Sequence, residues 1–218
     1  MMKPVRNLIF DLDGTLVDSM PYYTDAITDI LKAQGIAYDQ QEIVRDVTKL
    51  NRVGIAKYLI EHFNVNATVD AIVAVIDQNS LAAYRTAIPT KDGVVETLWE
   101  LSRSGYELSV LTATPHPLVD ECLTRLKIYD CFGHVWSCSD FGTSKNSPEI
   151  FYAVAERLGV KTRECVMLDD NFDALTNAQK AGMHTIGVYD PSSEHLSNRM
   201  KEQFDGYVYR LWEIPSLL

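Results

Sequence analysis

Long apolar runs are missing from this sequence. No stretch approaches the roughly 18 consecutive apolar residues that indicate a transmembrane helix. The first six residues lead straight into a strand-like segment, without the apolar region of a signal peptide. We therefore expect a cytoplasmic protein with no membrane partner.

Basic residues are outnumbered by acidic ones. The 218 residues include 20 lysines and arginines against 30 aspartates and glutamates, which gives a formal charge of −10 and a sequence pI near 4.9. Nonspecific binding to DNA or RNA depends on a basic surface, so this balance argues against a nucleic-acid partner. An anionic substrate would have to be neutralised locally by a lysine, a metal ion or helix N-termini.

Cysteines are few and lack the pattern of a metal site. They form no CxxC pair and no zinc-like spacing; the four are Cys122, Cys131, Cys138 and Cys165. We expect free, mostly buried thiols in a reducing compartment. A hydrophobic content of 46% with 23% charged residues excludes a disordered or collagen-like chain.

Short apolar segments alternate with helix-like segments along most of the chain. The candidate strands are residues 5–10, 108–111, 134–138, 165–168 and 184–188. The predicted helices between the later strands cover residues 93–104, 117–126, 147–159 and 172–181. This alternation predicts an α/β fold with a doubly wound, Rossmann-like parallel sheet. The aromatic tail, residues 204–218, is expected to pack on the sheet edge.

One segment interrupts the alternation. Residues 19–87 contain no convincing strand, and their apolar positions recur at helical spacing, as at Ile27, Ile30 and Leu31. We predict an inserted bundle of about four helices over residues 19–87. The core is then built from residues 1–18 and 88–218.

Reactive side chains follow several of the predicted strands. Carboxylates come after the first strand and after residues 165–168, a hydroxyl follows the second strand, and a lysine precedes the helix at 147. These residues are Asp11, Asp13, Thr112, Lys145, Asp169 and Asp170. Ligands of an open parallel sheet bind beyond the carboxyl ends of its strands. We therefore expect these groups to converge at one edge.

The same residues carry a resemblance to a known family. The run DLDGTLVDS at residues 11–19 resembles the first motif of the haloacid dehalogenase-like hydrolases, in their phosphatase branch. Thr112 matches the second motif, and Lys145 with Pro148 matches the third. The pair Asp169-Asp170 matches the acidic fourth motif. The resemblance spans nearly the whole chain, and the helical insert is similar to the family's small helical cap.

The resemblance implies roles in phosphoryl transfer. Asp11 would attack phosphorus and form an aspartyl-phosphate, which splits hydrolysis into two easier steps. Asp13 would protonate the leaving oxygen and then deprotonate the attacking water. Thr112 and the backbone amide of Ala113 would donate hydrogen bonds to phosphoryl oxygens. Lys145 would neutralise the nucleophile and the transferring group.

The resemblance also implies a divalent cation, Mg²⁺. Asp11 and a phosphate group are both anionic and need positive charge between them, and Mg²⁺ prefers oxygen ligands. Asp11 and Asp170 would supply carboxylates, and Asp13 its backbone carbonyl. Asp169 would bind the metal directly or through a water molecule.

Substrate recognition is assigned to the cap. Tyr22 and Tyr23 follow the core junction and are candidates to face the site, with packing inside the cap as the alternative. Lys49 and Arg52 lie in a polar segment similar in placement to the family's specificity loop, with a solvated turn as the alternative. The expected substrate is a small soluble phosphorylated metabolite, such as phosphoglycolate, a sugar phosphate or a nucleotide monophosphate.

Two other functions remain open at this point. A sugar-phosphate mutase resembling β-phosphoglucomutase would carry a histidine on the first cap helix, where this sequence has Tyr22-Tyr23. A noncatalytic binding protein on the same fold would be expected to have lost at least one of Asp11, Asp13, Lys145 or Asp170. All four are present. The sequence does not determine the oligomeric state.

Overall fold

The computed structural model describes residues 5–47 and 50–218. The chain divides into two compact units. The larger unit runs up to Asp18 and resumes over Pro89–Leu218, and the smaller unit is Ser19–Ile88. The smaller unit is thus inserted into the sequence of the larger one.

The larger unit is built on one parallel sheet. Its six strands are β1 (Asn7–Phe10), β2 (Glu107–Thr112), β3 (His134–Ser137), β4 (Cys165–Asp169), β5 (His184–Val188) and β6 (Gly206–Val208). They lie in the order β3-β2-β1-β4-β5-β6, and every neighbouring pair is parallel. The predicted Rossmann-like α/β core is confirmed. The aromatic tail contributes the edge strand β6, which the sequence analysis did not identify as a strand.

Helices connect most of the strands. In the larger unit they are α5 (Val94–Arg103), α6 (His116–Arg125), α7 (Glu149–Leu158), α8 (Phe172–Lys180) and α9 (Ser197–Gln203). Gly159 adopts the left-handed conformation that ends α7, with φ +70°. That helix begins at Glu149, with Pro148 rather than Ser147 in the cap position.

The central strands are buried on both faces. Ile9 of β1 and Met167 of β4 belong to one apolar cluster with Phe151 of α7 and Leu175 of α8. Leu8 alternates with Ile9 along β1 and therefore points to the other face, yet it is also fully buried. Burial on both faces explains why these strands are nearly continuous apolar runs in the sequence.

The smaller unit consists of four helices in its described part. They are α1 (Met20–Ala33), α2 (Gln40–Val47), α3 (Arg52–Phe63) and α4 (Val69–Thr86). Each contributes to one apolar core, exemplified by Ile27, Ile43, Ile55 and Ile72. Across residues 5–47 and 50–218, no helix combines the length and the apolar composition needed to span a membrane.

The strand order reverses direction beside β1. The chain proceeds from β1 outward to β2 and β3, then returns to place β4 on the other side of β1. In sheets of this kind, ligands bind at the carboxyl ends of the strands that flank such a reversal. The topology therefore predicts a ligand site among the residues that follow β1, β2 and β4.

Candidate active site

The carboxyl ends of β1 and β4 bring three aspartates together. Asp11 follows β1, and Asp169 and Asp170 lie at the end of the adjacent β4. One carboxylate oxygen from each residue lies within 4.8 Å of the others, and all three residues are buried. The backbone N–H of Asp11 donates to the Leu168 carbonyl at 2.9 Å, so Asp11 is fixed to the neighbouring strand.

Lys145 reaches this cluster from the loop before α7. Its Nζ lies 2.6 Å from Oδ1 of Asp11 and 2.7 Å from Oδ2 of Asp169. The Lys145 backbone carbonyl accepts a hydrogen bond from the Asn177 side chain on α8 at 3.1 Å. The loop that carries the ammonium is therefore anchored to a helix, and the ammonium bridges two carboxylates.

Gly14 and Thr15 fit the loop after β1 closely against Asp170. Gly14 has φ +78°, and a Cβ there would lie 2.6–2.8 Å from the carboxylate atoms of Asp170. The Thr15 hydroxyl donates to Oδ1 of Asp170 at 3.0 Å and accepts from the backbone N–H of Asp170 at 3.1 Å. This reciprocal pair fixes the Asp170 carboxylate at a distance that only glycine at position 14 permits.

The turn after β2 arranges Thr112 as a hydrogen-bond donor. The Thr112 hydroxyl oxygen accepts from the backbone N–H of Thr114 at 3.0 Å. Because a hydroxyl has one proton and two acceptor positions, its proton stays available for another acceptor. Ala113 is exposed in the same turn. The turn therefore has the groups that contacts to a phosphoryl oxygen require.

The Asp13 carboxylate is not part of the three-aspartate cluster in the described residues. Its Oδ2 accepts a hydrogen bond from the Thr114 hydroxyl at 2.6 Å, and the residue is partly exposed. Of the four predicted metal ligands, the structure thus brings together the carboxylates of Asp11, Asp169 and Asp170. The carboxylate of Asp13 instead contacts the turn after β2.

Among the described residues, the cluster brings together three carboxyl groups and one ammonium group. The pKa of Asp11 is raised to about 7: burial is the main cause, Lys145 opposes the rise and Asp169 adds to it. Burial also raises the pKa of Asp170, and Asp169 and Asp11 add to the shift. For Lys145, burial lowers the pKa, but the attraction of Asp11 and Asp169 exceeds that penalty and the net shift is upward. Lys145 therefore stays charged.

The residues present fit a hard divalent cation. Three buried carboxylates supply oxygen ligands, which Mg²⁺ prefers over nitrogen or sulfur. Burial is the main cause of the raised pKa values of Asp11 and Asp170, and the neighbouring carboxylates add to the rise. Asp169 already accepts hydrogen bonds on both oxygens, from Lys145 at 2.7 Å and from the Asn171 N–H at 2.8 Å. With both oxygens used in this way, the Asp169 carboxylate orients the Lys145 ammonium and the backbone of Asn171.

The predicted specificity residues have partners inside the smaller unit. The Tyr22 hydroxyl donates to the Ala87 carbonyl at 3.3 Å, and Tyr23 packs on the apolar core of that unit. Arg52 is the first residue of α3, not part of a turn, and its guanidinium lies 2.9 Å from Oδ1 of Asp77. That contact is an ion pair without an aligned hydrogen bond. Lys49 lies outside the described residues.

Four polar side chains at the site were given no role from the sequence: Thr15, Thr114, Asn171 and Asn177. Asn171 had a local signal, since asparagine before a helix is a common N-cap, and it accepts from the first N–H groups of α8. No local sequence signal indicated a role for Thr114 or Asn177. Their contacts join residues 101 and 32 positions apart and depend on the completed fold.

Comparison with known sequences yields a family match. The sequence model described as haloacid dehalogenase-like hydrolase matches residues 5–182. A phosphoglycolate phosphatase from Yersinia pseudotuberculosis is 30% identical over 192 residues, covering 85% of this chain and 82% of that protein. Hexitol phosphatase B from Escherichia coli is 24% identical over 195 residues, covering 88% and 87%.

Comparison with solved structures agrees on the fold. The crystal structure of a predicted phosphoglycolate phosphatase from Haemophilus somnus superimposes with a TM-score of 0.84 at 19% identity. The match covers 100% of this chain and 99% of that one, so both units have counterparts there. Because the family match extends through all four motifs, this chain belongs to the haloacid dehalogenase-like hydrolases, in their phosphatase branch.

Proposed function

We propose that this protein is a Mg²⁺-dependent phosphomonoester hydrolase that works through an aspartyl-phosphate on Asp11. The observation that carries the proposal is the contact of Lys145 with Asp11, 2.6 Å, inside a buried cluster of three aspartates. Lys145 contacts Oδ1 of Asp11. Oδ2 is therefore the oxygen we assign to the attack on phosphorus.

The residues divide the reaction into two steps. In the first, Asp11 forms a bond to phosphorus while the bond to the leaving oxygen breaks, and Asp13 donates a proton to that oxygen. In the second, Asp13 takes a proton from water as the water attacks phosphorus and Asp11 is released. Lys145 and the Thr112 hydroxyl stabilise the charge on the phosphoryl oxygens throughout.

The metal would be held by carboxylates of the three-aspartate cluster, with the backbone carbonyl of Asp13 as a further ligand. When bound, it would neutralise part of the charge that Asp11 and the phosphoryl group share. The excess of buried carboxylates over ammonium groups supports this assignment.

The substrate we propose is a small phosphorylated metabolite. The relatives named above are a phosphoglycolate phosphatase and a hexitol phosphatase, both named for small phosphate esters. A mutase of the β-phosphoglucomutase type is disfavoured because α1, Met20–Ala33, contains no histidine. Hydrolysis therefore remains the preferred reaction.

The test is phosphate release from a panel of small phosphomonoesters, with Mg²⁺ and with a chelator. We expect metal-dependent release by the wild-type protein and loss of turnover in Asp11→Asn. Asp173→Asn is the matched control, because Asp173 is an exposed aspartate at the start of α8, outside the three-aspartate cluster. It should retain near-wild-type turnover.

Other outcomes would change the assignment. Full turnover in Asp11→Asn would remove Asp11 as the nucleophile. Interconversion of hexose 1-phosphate and 6-phosphate without net release would favour the mutase. Absence of both reactions over the whole panel would favour a noncatalytic binding protein.

A further inference from the structure

Thr114 is not part of the family motifs described above, yet its hydroxyl donates to Oδ2 of Asp13 at 2.6 Å. A hydroxyl bound to a carboxylate at this distance forms a strong, charge-assisted hydrogen bond. We propose that Thr114 is a positioning residue, which holds the Asp13 carboxyl group in the orientation that proton transfer to the leaving oxygen requires. This inference rests on the proposed function, because it assumes that Asp13 is the general acid and base.

The backbone around Thr114 is constrained from both sides. Its N–H donates to the Thr112 hydroxyl at 3.0 Å, and Pro115 follows it, which restricts the conformation of the preceding residue. Threonine is itself branched at Cβ, which limits the rotation of its side chain. The turn itself therefore limits the positions that the Thr114 hydroxyl can take, independently of its contact with Asp13.

The start of the next helix anchors this turn to a second strand. His116 begins α6, and its Nε2 lies 2.8 Å from Oδ2 of Asp140. The same carboxylate oxygen accepts the backbone N–H of Ser137, the last residue of β3, at 2.9 Å. His116 also contacts the Asp120 carboxylate at 3.2 Å. The Thr114 turn is thus fixed to β3 as well as to β2.

One turn therefore serves two parts of the reaction. The Thr114 N–H occupies an acceptor position of Thr112, which directs the Thr112 proton to another acceptor. The Thr114 hydroxyl binds Oδ2 of Asp13 and holds the carboxyl group in one orientation. When Asp13 gives its proton to the leaving oxygen, its carboxylate gains charge and the bond from Thr114 becomes stronger.

Leaving groups that differ in basicity test this role. An alkoxide leaving group needs a proton in the first step, whereas 4-nitrophenolate departs without one. We expect Thr114→Val to lower kcat/KM for an alkyl phosphate about 10- to 100-fold, part of the full effect of a general acid. For 4-nitrophenyl phosphate, kcat/KM should stay within about twofold. Its kcat should fall, because Asp13 still has to deprotonate the water that hydrolyses the aspartyl-phosphate.

Further variants separate this role from a structural one. Thr114→Ser keeps the hydroxyl and should recover most of the activity on the alkyl ester. Thr124→Val is the control, since Thr124 is exposed on α6, the helix that follows the Thr114 turn. If Thr114→Val does not fold, Thr114→Ala is measured in its place, with the same two substrates.

The possible outcomes are distinct. Equal losses of kcat/KM on both esters, or no loss on either, would overturn the role of Thr114 while leaving the proposed function intact. A wild-type protein that hydrolyses no ester of the phosphomonoester panel, these two included, would overturn the proposed function and this inference together. A selective loss on the alkyl ester, restored by serine, supports it.

Discussion

Asp170 and the backbone of Gly14 approach each other more closely than any side chain at position 14 would allow. The close approach lets Thr15 bind both the carboxylate and the N–H of Asp170. Gly14 has a φ of +78°, a conformation in which glycine carries no steric cost. The contact with Asp170 was not predictable, because those residues meet only after β1 and β4 have paired.

Replacing Gly14 should damage the site more than the fold. In Gly14→Ala the new methyl group meets the Asp170 carboxylate, and we expect turnover to fall at least about 100-fold, since a displacement of about 1 Å has effects of this size. Gly142→Ala is the matched control, because Gly142 has a similar φ of +64° and no atom lies within 4 Å of where its Cβ would be. Turnover and urea denaturation are measured for both.

Gly142→Ala should lose about 1–2 kcal/mol of stability, the cost of a left-handed residue with a side chain, and Gly14→Ala should lose at least as much. Only Gly14→Ala should lose activity. Equal turnover in the two variants would show that the approach of Gly14 to Asp170 has no catalytic importance.

At the scale of elements, the sequence predicted the five longer strands and missed β6. Of these, β1, β2, β4 and β5 are buried on both faces, so their apolar runs are clear in the sequence. β6 has three residues, Gly206–Val208, and only Val208 is fully buried. A run this short has no recognisable periodicity. Its pairing with β5 depends on the sheet already being formed.

Lys91 connects three elements that are distant in sequence. Its Nζ donates to the Gly14 carbonyl after β1 at 2.6 Å, to the Tyr189 carbonyl after β5, and to the Asp190 carboxylate at 3.0 Å. The Asp190 side chain is fully buried. This lysine therefore supports the loop after β1 and neutralises a carboxylate that water does not reach.

Removing the Lys91 ammonium should lower the stability of the fold. We expect Lys91→Met to lower the free energy of unfolding by about 3–5 kcal/mol, because it leaves the Asp190 charge buried without its cation. Lys32→Met is the control: Lys32 pairs with Asp29, both side chains are about half exposed, and a much smaller loss of stability is expected. Urea denaturation measures both.

The double variant Lys91→Met with Asp190→Asn tests the cause. It should recover part of the lost stability, since the buried charge is removed together with its partner. Recovery of nothing, or a loss in Lys91→Met no larger than in Lys32→Met, would contradict the electrostatic explanation.

At the scale of the whole molecule, the buried acids make stability depend on pH. The pKa of Asp11 is about 7 in the folded protein against 3.8 without the protein environment. Between these values the folded state binds one proton more than the unfolded state, so the free energy of unfolding falls as pH rises from about 4 to about 7. The raised pKa of Asp170 acts in the same direction.

Removing the Asp11 charge should reduce this dependence. In the presence of a chelator, we expect Asp11→Asn to lose less stability than the wild-type protein between pH 5 and pH 8, by about 2–3 kcal/mol. Added Mg²⁺ should stabilise the wild-type protein at pH 8 and Asp11→Asn less, because binding favours the folded state. Urea denaturation at the two pH values measures both effects. Parallel loss in the two proteins would contradict the assigned pKa.

The most direct test of the central claim is detection of the phosphoryl group on Asp11. The wild-type protein is mixed with Mg²⁺ and its best substrate from the phosphomonoester panel, stopped in acid during turnover, and examined by peptide mass spectrometry. We expect a phosphorylated peptide whose modification lies at Asp11, and no modification in Asp11→Asn. Turnover with the modification at another residue, or undiminished turnover in Asp11→Asn, would contradict it.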